Sequence, residues 1–191
     1  FFEIAPQGAA ILASLSNKNG VNALLVGAYS LLDGVGSGNT GRTSTSSNYV
    51  FGGITSGDAV KGTDAGDQPE QTYIEQFNWL SDNSYFLGKW WGMYDGVARA
   101  NEAMLLAQSA DVKDMTDAEK AQVVAEAKFL RGHFHFEAKK MWNKVPYISE
   151  TVYKRDDPNS TKVPNTSDIW ANIEKDFSDA AAVLPATQSQ K

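Results

Sequence analysis

The stretch FLRGHFHFEAKKMW, residues 129–142, holds both histidines of the chain and a glutamate two residues beyond the second. His133, His135 and Glu137 are residue types that ligate zinc or move protons. Their spacing argues against a shared site. Successive helical residues turn by about 100°, so residues i and i+2 lie about 200° apart and face nearly opposite sides. Zinc-binding helices instead place His at i and i+4. His133 and Glu137 do have that spacing, but they lack a third ligand, and an ion pair on the helix surface explains them equally well. The expectation is a packing helix, with no metal site and no catalytic residue.

Two other groups have side chains suited to chemistry. Asp58, Asp64, Asp67 and Glu70 cluster in a glycine-rich region. Loop carboxylates of this kind are solvated, or they bind calcium or sugar hydroxyls, or, when two face each other across a cleft, they cleave glycosides. Their spacing fits no EF-hand loop. Trp79 lies in FNWLSDN beside Asn78, Asp82 and Asn83. A flat indole flanked by amides and carboxylates suits the apolar face of a sugar ring and its hydroxyls; packing at the base of a loop suits it too. The candidate ligand-binding residues are therefore Trp79, Asn78, Asp82, Asn83, Asp58 and Asp67. No phosphate-binding loop, nucleophile elbow or zinc spacing is present, and no cofactor is expected.

The elements that must position these residues follow from composition and periodicity. Of 191 residues, 42% are hydrophobic and 21% charged, the make-up of a folded chain. A formal charge of −6 disfavours a nucleic-acid binder. With no cysteine there are no disulfides, thiolate metal sites or cysteine nucleophile. The opening FFEIAPQGAA lacks the marks of a signal peptide.

Four amphipathic helices are expected, over about 21–33, 83–108, 116–142 and 167–184. The third opens on a capping box, Thr116 with Glu119. Nine of the sixteen glycines fall between Gly34 and Gly66, so this region is expected to be a long loop with a short strand at YVFG. Residues 144–164 form a second, turn-rich linker. Asn101 lies within an apolar stripe and must find hydrogen-bond partners. The sequence stops at LPATQSQK just after a patterned helix, and a fragment of a longer chain is expected.

Motifs along the chain carry a resemblance. Trp91, Tyr94, Val97 and Asn101 in WWGMYDGVARAN come first, then EAKFLRG (126–132) with Phe136 and Val145-Pro146. IWANIEKDFSDA (169–180) follows, closing on Leu184-Pro185. Pro6, Gly8, GAYSLL (27–32) and SGDAVKG (56–62) fit the same pattern, although Gly57 stands where relatives often have an acid. Together these resemble the SusD/RagB family over nearly the whole chain.

The resemblance implies an all-α fold of tetratricopeptide-like helical hairpins with long irregular loops, here residues 1–191 as the N-terminal portion of one SusD-like domain. It implies a nutrient-binding lipoprotein on the outer membrane of Bacteroidetes, at the cell surface. Such a protein binds an oligosaccharide or polysaccharide without cleaving it and caps a SusC-like TonB-dependent transporter. The family's lipid anchor is an N-terminal cysteine that this sequence lacks, so membrane attachment through it is a family expectation only. From the family's aromatic platforms, only the Trp79 region is carried over. A helical-repeat module for protein partners and a glycoside hydrolase using the loop carboxylates are the rival readings.

Overall fold

A computed structural model describes residues 12–32, 49–64, 66–109 and 112–187. Pro6, Gly8 and the serine-rich run 34–48 lie outside the described residues. All regular structure among the described residues is helical apart from an isolated bridge between Asn17 and Lys113. The chain divides into two compact units, residues 1–28 with 97–191, and residues 29–96.

In the first unit, α1 (Leu12–Leu15) leads into α2 (Lys18–Tyr29). Asn17 starts α2 earlier than periodicity suggested, because its Oδ1 accepts the Gly20 N–H at 3.1 Å and so caps the helix. α5 (Ser84–Gln108) runs through both units. α6 (Asp117–Trp142) begins on the expected capping box: the Glu119 N–H donates to the Thr116 hydroxyl, and the Thr116 N–H donates to the Glu119 carboxylate at 2.8 Å. α7 (Trp170–Ala181) is shorter than expected at both ends.

Partners of α6 and α7 fix their relative direction. Lys128 meets Asp179, Arg131 meets Asp176 and Lys139 meets Asp168, so one number rises as the other falls. The two helices are an antiparallel hairpin. They approach closely at Gly132, where a Cβ would lie 3.1 Å from that of Asp176 and 3.3 Å from the Phe177 ring. Val123, Ala127, Leu130, Phe134 and Ala138 form the buried stripe of α6, as the sequence pattern required.

The second unit contains a π-helical turn, Tyr49–Gly53, then α3 (Ile54–Ser56) and α4 (Pro69–Glu75). The strand expected at YVFG is therefore a helical turn. The Tyr49 hydroxyl ties it to the backbone carbonyls of Val60 and Lys61, at 2.8 and 3.1 Å. Val50, Ile74 and Tyr85 form its core, with Phe51 and Phe86 packed against them. On α5 the buried positions include Met93, Val97, Ala100, Met104 and Ala107, whereas Trp91 is 56% exposed. Trp91 of the WWGMYDGVARAN motif therefore lies off the buried face of α5.

Candidate functional site

The second unit carries most of the candidate residues. α4 ends at Glu75, and the segment 76–83 crosses to the start of α5. Trp79 stands on this segment, 42% exposed. Its ring meets Phe86 edge-on, with centroids 5.5 Å apart and planes at 62°, and meets Phe77 at 5.8 Å and 48°. Phe86 in turn packs on Phe51 at 5.7 Å. A row of rings thus runs from the core of the unit to its surface and stiffens the indole from behind.

The polar neighbours divide. Asn78 and Asp82 are exposed beside the indole in sequence. Asn83 is 3% exposed, and both ends of its amide are taken. Its Nδ2 donates to Glu70 O at 2.9 Å, and its Oδ1 accepts the Tyr85 N–H at 3.0 Å, which caps α5. Asn83 holds the segment in place rather than facing solvent.

The loop carboxylates each serve a local contact. Asp58 accepts from the Ser56 hydroxyl at 2.9 Å, and Asp67 from the Thr63 hydroxyl at 2.9 Å. Asp64 accepts the N–H groups of Gly66 and Asp67, at 2.8 and 3.1 Å. Glu70 accepts from both the N–H and the hydroxyl of Ser84. Lys61 reaches into the same loop, and its ammonium donates to the carbonyls of Asp64 and Asp67. Among the described residues, no three His, Asp or Glu side chains form a group able to hold a metal.

A cluster of coupled ionisable groups lies in the first unit. Arg131, 3% exposed, forks onto Asp176 with bonds of 2.9 and 2.6 Å. It also donates to Asn101 Oδ1 at 3.0 Å and to Glu150. Tyr147 donates to Asp176 at 2.8 Å and lies against the guanidinium. Burial pulls the Arg131 pKa down, but the bonds and charge of Asp176 outweigh it and leave it above the ordinary value. Burial works to raise the Glu150 carboxyl, and the Arg131 bond and charge reverse that, so it is lowered. Burial, the leading cause, raises the Tyr147 hydroxyl.

Arg131, Tyr147, Glu150 and Asp176 line a hollow of about 300 Å³. Perturbed titration often marks an active site. Here the charges are engaged with one another: Arg131 and Asp176 join α6 to α7, and Glu150 and Tyr147 tie residues 147–150 to that pair.

His135 belongs to the same network. It is fully buried; Nε2 accepts the Ile148 N–H at 3.1 Å, and Nδ1 lies 3.1 Å from Arg131 O. Since a carbonyl only accepts, Nδ1 carries the proton. Asn101 donates to Ile148 O at 3.0 Å, so both backbone groups of that residue are held. His133 meets the Phe134 ring, and Glu137 pairs with Lys140 at 2.5 Å.

Comparison with known proteins places this framework. A family model described as starch-binding and associating with the outer membrane, SusD-like, matches residues 14–191. The chain belongs to the SusD-like family. Among solved structures, the SusD-like chain is similar to surface glycan-binding protein A from Bacteroides fluxus, at 25% identity and a TM-score of 0.62. The match covers 85% of this chain and 32% of that one, so the SusD-like chain spans about a third of the length of its structural relative. No curated protein matches it. No helix among the described residues is long and apolar enough to cross a membrane.

Proposed function

We propose that this chain is part of a cell-surface protein that binds an oligosaccharide or polysaccharide and passes it on intact. The observation that carries the reading is Trp79, a ring open to solvent and braced from behind by Phe86 and Phe51. Such a face suits the apolar side of a pyranose, and the exposed Asn78 and Asp82 supply hydrogen-bonding groups for hydroxyls. Family membership and the name of the structural relative support glycan as the ligand class.

In the same reading the full-length protein is lipid-anchored at the outer membrane and delivers glycan to a SusC-like TonB-dependent transporter. Asp58 and Asp67, exposed and bonded locally to Ser56 and Thr63, are kept as further acceptors for sugar hydroxyls. No catalytic step is assigned.

Titration calorimetry of the full-length protein with maltooligosaccharides tests the proposal. Wild type is expected to bind, and Trp79→Ala is expected to weaken binding at least tenfold, the loss of about one stacked ring. Shortened products after prolonged incubation, or unchanged affinity in Trp79→Ala, would tell against it.

A further inference from the structure

The segment that carries Trp79 contains a second ring that the sequence reading passed over. α4 closes in a two-bond cap: the Phe77 N–H donates to Ile74 O at 3.1 Å and the Asn78 N–H to Tyr73 O at 2.8 Å. That pair of bonds is the Schellman motif, whose first residue past the cap takes a left-handed backbone and is usually glycine. Here it is Phe77, at φ +54°. A bulky side chain at such a position is strained.

Burial does not offset the strain, because Phe77 is 64% exposed. Packing alone gives no reason for a strained phenylalanine facing solvent where glycine would fit. Strain kept without such a reason points to use of the side chain. Its ring centroid lies 5.8 Å from that of Trp79, and the 48° tilt between them presents two separate faces rather than one extended plane. The neighbouring Leu80, 70% exposed, extends the apolar surface.

We propose that Phe77 is the second ring of the ligand platform. Phe77 and Trp79 each take the face of one sugar, so the site holds consecutive sugars of a chain rather than a single one. The proposal rests on the glycan reading above. The left-handed turn is the device that places an aromatic ring beside the indole.

The test uses the full-length protein, with glucose, maltose and maltotriose as probes in calorimetry and with thermal melting alongside. Phe77→Gly removes ring and strain together. Phe77→Asn removes the ring but keeps a residue that tolerates the left-handed region without glycine's freedom. Both variants are expected to lose about tenfold in affinity for maltose and maltotriose while glucose binding holds, and the melting midpoint of Phe77→Gly is expected to rise.

Normal binding of all three sugars by both variants, with Trp79→Ala defective, overturns the role of Phe77 and leaves the Trp79 reading standing. Unchanged binding in Trp79→Ala overturns both. A drop in the Phe77→Gly midpoint shows that the turn is not strained, and the reason for assigning the ring a use disappears.

Discussion

His135 is held neutral by its surroundings. Burial first, and then the nearby Arg131 charge, push it down to about 3, against the weaker pull of the Arg131 carbonyl. Between that value and the ordinary 6.5, the unfolded chain binds a proton that the folded one refuses. Stability must therefore fall as pH falls through this window, by about 1.4 kcal/mol per pH unit once the unfolded imidazole is protonated. Urea midpoints taken from pH 6.5 to 4.5 measure it; the lowered carboxylates Glu119 and Asp179, both at about 2, add to the acid loss only lower down. In His135→Gln, which cannot titrate, the slope in that range should flatten, and an unchanged slope would assign it to other groups. Helical geometry was enough to separate the two histidines. It could not say that the second one would fasten Ile148, because that contact depends on how residues 145–150 return to the helix.

At the scale of elements, glycines of opposite consequence separate packing from propensity. Gly132 lies where α6 meets α7, and an added Cβ would press on Asp176 and Phe177, both held by their own contacts. Overpacking of that kind costs about 1–3 kcal/mol, more than the roughly 1 kcal/mol gained in helix propensity. Gly27, inside α2, has open space around its Cβ position. Gly27→Ala should therefore raise the denaturation midpoint and Gly132→Ala lower it; a gain in both would mean that the hairpin is loose enough to yield. The long helices were legible because their periodicity and the Thr116 capping box are local, repeated features. α4 and the turn at Tyr49 were not. They are short, lie in a glycine-rich stretch, and are set by distant ties such as the Tyr49 hydroxyl to Val60. In the candidate site, indole chemistry singled out Trp79. The capping role of Asn83 and the left-handed Phe77 depend on where α4 ends, which composition does not reveal.

For the whole molecule, charge is distributed unevenly. Residues 29–96 hold eight of the carboxylates against three basic side chains, so this unit accounts for −5 of the formal −6. The proposed aromatic platform therefore stands on an acidic unit. Stacking and hydroxyl bonds to a neutral glycan involve no net charge, whereas a uronate or sulfated chain would approach against a like-signed field. The full-length protein is accordingly expected to bind neutral maltooligosaccharides with an affinity that changes less than twofold between 50 and 500 mM salt. For a polyanionic glycan of equal length, weak binding at low salt should strengthen as the field is screened. Parallel titrations at the two salt concentrations separate the cases. Tight, salt-weakened binding of an acidic glycan would show that a basic surface outside the unit carrying Trp79 governs recognition.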